Sequence, residues 1–320
     1  MSDKNKEKDD KGLLESIKLI VSKEDKLKDQ GMYLGNQATT LKRMAYGKMS
    51  GSNLRVLAVS SGKGGVGKSN FVVNLAYALA KRGKKVLVVD ADLGLNNIDI
   101  LLGLAPQKHI GHVLAGEANV EDIILRGPAD IHILPAGDGL QELTQLQSEK
   151  KMVLMDELDR ISQGYDFLVF DTGAGISTNV TYFCSAAHET ILIATTEPTS
   201  LTDVYALMKI LHNKHAQKHF RIVINSVSSE REAQGVYRNL TAVTDRFLKG
   251  VSVEYLGYIL HDTNVPKAVR QQKAFLELYP FSKFSGCLNE LAEKISKEKP
   301  SPLSCEGDQP YFWRSAFQVQ

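Results

Sequence analysis

The eight residues Gly62-Lys-Gly-Gly-Val-Gly-Lys-Ser69 constrain this 320-residue chain more than any other stretch. They match the spacing of a phosphate-cradling loop, Gly62-x-x-x-x-Gly67-Lys68-Ser69. Such a loop needs a strand before it and a helix after it. Leu54-Arg-Val-Leu-Ala-Val59 is apolar and dense in branched side chains, as a buried strand is. Phe71, Val72, Leu75, Leu79 and Ala80 are spaced for one face of a helix, and Lys81-Arg82-Gly83 supplies a basic last turn and a glycine stop. Gly64, Gly65 and Gly67 let the backbone bend close to an anion, so the run from Gly62 through Val66 to Asn70 faces a nucleotide's phosphates. Lys68 is placed to reach the β- and γ-phosphates, and the Ser69 hydroxyl to ligate Mg²⁺. Lys63 is not needed for any of this. A cation there needs its own job, and it predicts a nucleotide machine that works as a pair.

Strands and helices alternate from this loop to about residue 298, the pattern of an α/β fold with a doubly wound, mostly parallel sheet. Strands are predicted over 86–90, 131–134, 167–171, 190–195, 221–225 and 253–259. Helices are predicted over 149–163, 178–187, 200–217, 230–248 and 281–298. This gives three parts: an extension over 1–53, the α/β domain over 54–299, and a C-terminal segment over 300–320 that begins at Pro300-Ser-Pro302. Residues 1–12 are charged, 13–46 carry a helical apolar face, and Gly47-Lys-Met-Ser-Gly-Ser-Asn53 reads as a linker.

Composition excludes several classes. A net charge of +2 does not suggest nucleic acid as the main partner. Cys184, Cys287 and Cys305 form neither a metal pattern nor a disulfide framework, which suits a reducing cytoplasm. No apolar run approaches the ~20 residues of a membrane span. The N-terminus lacks the apolar centre of a signal peptide. The eight histidines are scattered, and Cys184 and Cys287 lie on apolar helical faces that suit core positions.

In open α/β sheets ligands sit outside the carboxyl ends of the strands. Two apolar strands here end in aspartate: Lys85-Val-Leu-Val-Val-Asp90-Ala-Asp92 and Phe167-Leu-Val-Phe-Asp171. Asp171 is the expected Mg²⁺ partner through water, and Asp90 suits the Mg²⁺ shell or a loop anchor. Asp92 is placed to orient an attacking water or accept its proton. The segments after Asp92 and Asp171 fit loops that order on a triphosphate and relax after hydrolysis.

Lys63-Gly-Gly-Val-Gly-Lys68-Ser69, Asp90-Ala-Asp92-Leu-Gly and Asp171-Thr-Gly-Ala-Gly175 resemble the deviant Walker ATPases of the MinD/ParA family. The stretches 90–103, 197–207, 244–248 and 265–270 resemble its flagellar number-regulating branch. The resemblance covers roughly 54–298. It implies a P-loop NTPase fold with a deviant Walker A motif, an Mg²⁺-dependent ATPase, and ATP-dependent homodimers. Lys63 would contact phosphate across the dimer interface, like an arginine finger. Asp92 would position the catalytic water, and Asn97 would sit in the first switch loop. Asn225 would hydrogen-bond the adenine edge, and a turn at Val265 and Pro266 would close the base pocket. Gly173 departs from the proline frequent in MinD, which should change loop stiffness and leave the chemistry alone.

For the ends of the chain the resemblance implies partners. Asp29-Gln-Gly-Met-Tyr-Leu34 and Asn36-Gln-Ala-Thr-Thr-Leu41 look like two imperfect copies of a helix that activates an FlhF-like signal-recognition-type GTPase. Gln37 is the preferred activating residue and Gln30 the alternative. In the C-terminal segment Phe312, Trp313 and Phe317 cluster on one helical side, which suits a short amphipathic helix lying on a membrane. The protein would then be cytoplasmic and reversibly peripheral to the inner face of the cell membrane. A flagellar transcription activator or switch-ring proteins are further partners. Two other functions stay open: a ParA-like DNA-segregation ATPase, for which Lys267, Arg270 and Lys273 are a sparse basic set, and a MinD-like septum-site ATPase. A nitrogenase-reductase-like activity is disfavoured because the bridging cysteines of an iron–sulfur site are missing.

Overall fold

The computed structural model describes residues 54–92, 97–135, 148–298 and Trp313. The extension over 1–53, with Gln30 and Gln37, lies outside the described residues, as do Phe312 and Phe317.

Eight strands make one sheet: β1 (Arg55–Ser61), β2 (Val86–Ala91), β3 (Leu125–Arg126), β4 (His132–Pro135), β5 (Phe167–Ala174), β6 (Glu189–Ala194), β7 (His219–Val227) and β8 (Ser252–Leu260). Their spatial order is β3-β4-β2-β5-β1-β6-β7-β8. Every pairing is parallel except the two-residue edge strand β3 against β4. The helices are α1 (Lys68–Ala80), α2 (Ile98–Leu102), α3 (Ile110–Leu114), α4 (Val120–Ile123), α5 (Ser148–Ser162), α6 (Thr178–Ala186), α7 (Pro198–His215), α8 (Glu230–Phe247), α9 (Val265–Arg270), α10 (Phe275–Leu278) and α11 (Lys283–Lys297). The sequence periodicity locates the long elements to within a few residues. It misses β3 and the short helices. Residues 265–270 form a helix where a turn was expected, because Pro266 falls in its first turn, where a missing N–H costs nothing.

The pleat sorts β1 into two layers. Val56 and Ala58 face a core filled from α5, α6, α7 and α8, while Leu57 and Val59 face one filled from α1, α10 and α11. The chain leaves β1 into α1 on the second face and leaves β5 into α6 on the first. Two adjacent parallel strands whose loops depart to opposite faces open a crevice at their carboxyl ends. The phosphate loop follows β1, and residues 172–177 follow Asp171 on β5, so both border that crevice.

The opposite end of the sheet is closed by charge. Glu189, at the start of β6 and 7% exposed, accepts from Arg55 Nε at 3.0 Å and from Arg221 Nη1 at 2.9 Å. Arg221 also reaches Glu254 at 2.9 Å and Glu298 at 2.7 Å, and Arg55 donates to the Glu298 carbonyl at 2.9 Å. Four strands and the end of α11 are thereby tied together. Removing the shared carboxylate would leave two guanidinium groups facing each other in a buried site. Glu189→Ala is therefore expected to lower stability by roughly 3–5 kcal/mol, read as a fall in the urea midpoint. An unchanged midpoint would show that this network contributes nothing.

Candidate functional site

The phosphate loop is held from two sides by close approach. A Cβ on Gly62 would lie 2.2 Å from the Asp203 carbonyl carbon, so only glycine lets α7 press on the start of the loop. Gly67 has φ 88°, in the left-handed region, and a Cβ there would meet Asn225 Nδ2 at 2.5 Å. That nitrogen instead donates to the Val66 carbonyl at 2.7 Å. No side chain caps α1, so its first N–H groups point into the crevice without a side-chain acceptor.

Inside the crevice the charges are paired under burial. Lys68 Nζ meets Asp171 Oδ1 at 2.5 Å, with the side chains 8% and 0% exposed. Burial raises the Asp171 pKa above the ordinary carboxylate range, while Lys68 and the Ser69 side chain draw it back down. The other oxygen, Asp171 Oδ2, is buried with no hydrogen-bond partner among the described residues. A buried oxygen with spare lone pairs, beside a hydroxyl and a lysine, fits the water shell of a Mg²⁺ ion.

Asp90 acts as a loop anchor. Its Oδ2 accepts from the N–H groups of Asn97 at 2.9 Å and Ile98 at 3.0 Å, and Oδ1 accepts from Asp92 N at 3.3 Å. Burial pushes its pKa up to about 7, the Ile98 bond pulls it down, and the nearby Asp171 adds to the rise. The clamp sets Asn97 beside Asp92: Asn97 Nδ2 donates to Asp92 Oδ2 at 3.3 Å. On the other side a Cβ at Gly173 would stand 3.3 Å from Asp92 Oδ1. Gly173 therefore does more than set loop stiffness; it leaves room for the Asp92 carboxylate against the second switch segment.

Lys63 lies apart from this buried cluster. Its Nζ pairs with Glu197 Oε2 at 2.7 Å, and both side chains are well exposed. The hydrogen bond to Glu197 raises its pKa. A cleft of about 310 Å³ continues from the loop past Asn70, Glu197 and Asn225 to Val265 and Pro266. The structure thus brings together the loop, the three aspartates, Asn97, Asn225, Val265 and Pro266. Sequence reasoning missed Glu197, Asp203, Ser226 and His261. Glu197 and His261 follow the apolar strands β6 and β8, so the rule that ligands gather at carboxyl ends of strands could have found them.

Trp313, expected on the membrane-facing side of a C-terminal helix, is seated in the core of this single chain. It is fully buried, with N donating to Asp159 Oδ1 at 2.7 Å and Nε1 to Ser162 Oγ at 2.9 Å. Its ring lies edge-on to Phe170 with centroids 5.3 Å apart. In this conformation it belongs to the core and presents nothing to a lipid surface. Among the described residues, no helix is long and apolar enough to cross a membrane.

A family model described as an AAA domain matches residues 54–224. The chain is 42% identical to the antiactivator FleN of Pseudomonas aeruginosa over 259 residues, covering 81% of this chain and 92% of that protein. It is 32% identical to the flagellum site-determining protein YlxH of Helicobacter pylori, covering 82% and 90%. Among solved structures it resembles the septum site-determining protein MinD of Pyrococcus horikoshii complexed with Mg-ADP, with TM-score 0.60 and 25% identity over 79% of this chain and 99% of that one.

The anchor at Asp90 carries a pH dependence. An unfolded aspartate titrates near ~3.9, whereas this one titrates at about 7. Between these values the folded protein holds a proton that the unfolded chain has lost, so stability falls as pH rises through the window. Asp171 and Asp203 are shifted in the same direction and steepen the slope. Without Mg²⁺ or nucleotide, the melting temperature should fall from pH 5 to pH 8. Asp90→Asn keeps the acceptor oxygen and should fall less. Parallel pH profiles for the two proteins would refute the assignment.

Proposed function

The chain belongs to the MinD/ParA family of ATPases, and on that premise we propose that it is an ATP-dependent dimerising switch of the FlhG/FleN kind, regulating flagellar number and placement. The observation that carries this reading is Lys63: a cation on the phosphate loop, open to solvent and tied to an exposed carboxylate, while Lys68 and Asp171 pair with each other in the buried site. A second copy bound face to face would draw Lys63 off Glu197 and onto its own triphosphate. Charge that develops during phosphoryl transfer rewards a cation supplied in this way.

The chain's residues then divide the work. Lys68 and the loop N–H groups bind and orient the triphosphate, and Asn225, Val265 and Pro266 hold the base. Ser69, with Asp171 and Asp90 through water, would hold Mg²⁺, which when bound supplies positive charge to the β- and γ-phosphates. Asp92, steered by Asn97, orients the water and takes its proton as the water oxygen bonds to the γ-phosphorus and the bond to ADP breaks. Closure of the two switch segments excludes bulk water from that step.

The ends of the chain carry the output. Trp313 seated against Phe170 is the resting form, and ATP-driven pairing would release the C-terminal segment, with Phe312 and Phe317, to an anionic membrane surface. Two such segments in a dimer bind far better than one. The extension, through Gln37 or Gln30, would act on an FlhF-like GTPase. Transcription-activator or switch-ring partners belong to the same reading. Nucleic acid is disfavoured: of the sparse basic set, Lys267 is tied to Asn264 at 2.9 Å and Lys273 to Glu277 at 3.7 Å.

Asp92→Ala, which binds ATP and cannot turn it over, should elute as a dimer with ATP and a monomer with ADP in size-exclusion chromatography. Adding Lys63→Ala should return it to monomer. A protein that stays monomeric with saturating ATP sinks the switch. Trp313 is the single tryptophan, so its emission reports the tail directly. With ATP and anionic vesicles the emission of Asp92→Ala should shift, with loss of the buried environment. An unchanged spectrum in a dimer would separate the tail from the switch.

A further inference from the structure

We propose that Ser226 and His261 are positioning residues that fix the orientation of the Asn225 amide and thereby set the preference for adenine over guanine. The inference rests on the reading that Asn225 contacts the base.

The β7–β8 register slips first between Ile222 and Val223 and again between the pairs Ile224–Tyr258 and Val227–Leu260. Asn225 and Ser226 occupy that slack. Ser226 has φ 60°, a left-handed conformation that residues other than glycine rarely adopt. It is held there by its neighbours. Ser226 Oγ and His261 Nδ1 are hydrogen-bonded at 3.0 Å, and His261 N donates to the Val227 carbonyl at 2.8 Å. Ser226 N then donates to Asn225 Oδ1 at 2.9 Å. At the other end of the amide, Asn225 Nδ2 donates to Val66 O at 2.7 Å. A continuous chain of contacts runs from β8 through Ser226 and Asn225 to the phosphate loop, along the wall of the cleft.

The chemistry follows from what these bonds use up. A primary amide has two N–H donors and two acceptor lone pairs on oxygen. The two contacts consume one of each and leave one of each. A free amide can turn over and offer either order of donor and acceptor. Adenine presents a donor at N6 beside acceptors at N1 and N7, and guanine reverses the arrangement along N1 and O6. An amide that cannot turn over matches one purine and opposes the other, while one that can turn over accepts both. The Ser226 N–H holds the oxygen end, and it points there only while the backbone keeps φ near 60°. The hydroxyl–imidazole bond maintains that conformation. Ser226 O–H can donate to Nδ1, or an Nδ1–H can donate to Oγ, according to the tautomer of the ring.

The test is competitive binding of ATP and GTP to the full chain, measured for wild type, Ser226→Ala, His261→Ala, the double variant and His261→Asn. Each single alanine variant should narrow the ATP-over-GTP ratio by about three- to tenfold, the effect of one lost hydrogen bond. The double variant should be no worse than either, because both break the same lock. His261→Asn places an amide nitrogen near the position of Nδ1 and should restore the ratio. If Ser226→Ala does not fold, His261→Ala and its asparagine rescue carry the test. Single variants as selective as wild type, or losses that add in the double variant, would overturn the proposal while the nucleotide reading stands. A wild-type chain that binds no ATP would overturn both.

Discussion

The contact between Lys68 and Asp171 is the constraint on which the rest of the site depends. An unpaired charge at either position would be intolerable under such burial, so β1, α1 and β5 must meet where the two side chains meet. Once they do, Asp90 is brought opposite Asp171 in the β2–β5 register. Like charges under burial repel, and Asp90 relieves this by collecting N–H groups from the segment that follows it. Asn97 and Ile98 are therefore held by the same electrostatic problem that the triphosphate and its cation would solve. Binding and loop ordering draw on one source of free energy.

The two ends of the sheet make opposite use of charge. At the amino ends, Glu189 pairs with two arginines, and other guanidinium donors reach Glu254 and Glu298, a network that ties four strands to the end of α11 although Arg221 Nε has no hydrogen-bond partner among the described residues. At the carboxyl ends, among the described residues, the helix α1 N-terminus lacks a capping side chain, Asp171 keeps an oxygen without a hydrogen-bond partner, and Lys63 is held by a carboxylate on the surface. Polar groups left unmatched at the mouth of a crevice are groups that a ligand there could complete. The rigid end holds the frame against which the incomplete end can change.

What the sequence made legible is what depends on local pattern. The long strands and helices follow from periodicity. The loop residues follow from glycine spacing, and Asp90, Asp92 and Asp171 from their place after apolar runs. The resemblance supplied roles for Lys63, Asn97 and Asn225; Asn97 lies beside Asp92, Asn225 lines the cleft, and Lys63 stands apart on an exposed carboxylate. The remainder needed contacts between residues far apart in the chain. Nothing near Gly62 announces that Asp203 will press on it, and nothing near Ser226 announces His261. Strand β3 is two residues long, too short for any period to register. Trp313 has the same amphipathic signature whether it lies on lipid or on Phe170, because both offer an apolar surface with polar groups at its margin.

That ambiguity in Trp313 is itself informative. Its ring packs on Phe170, the residue immediately before Asp171. The pleat sends these neighbours to opposite faces, one into the tail's seat and the other to Lys68. Phe170 also stacks on Phe183 of α6, the helix that follows the second switch segment. The seat of Trp313 is therefore built from Phe170 of β5 together with Asp159 and Ser162 of α5, and Phe170 rests in turn on α6. A close-packed interior transmits a displacement of the second switch segment to whatever rests on its supports. The proposed release of the tail on pairing thus has a direct route: β5 carries Asp171 at the nucleotide site and Phe170 against Trp313.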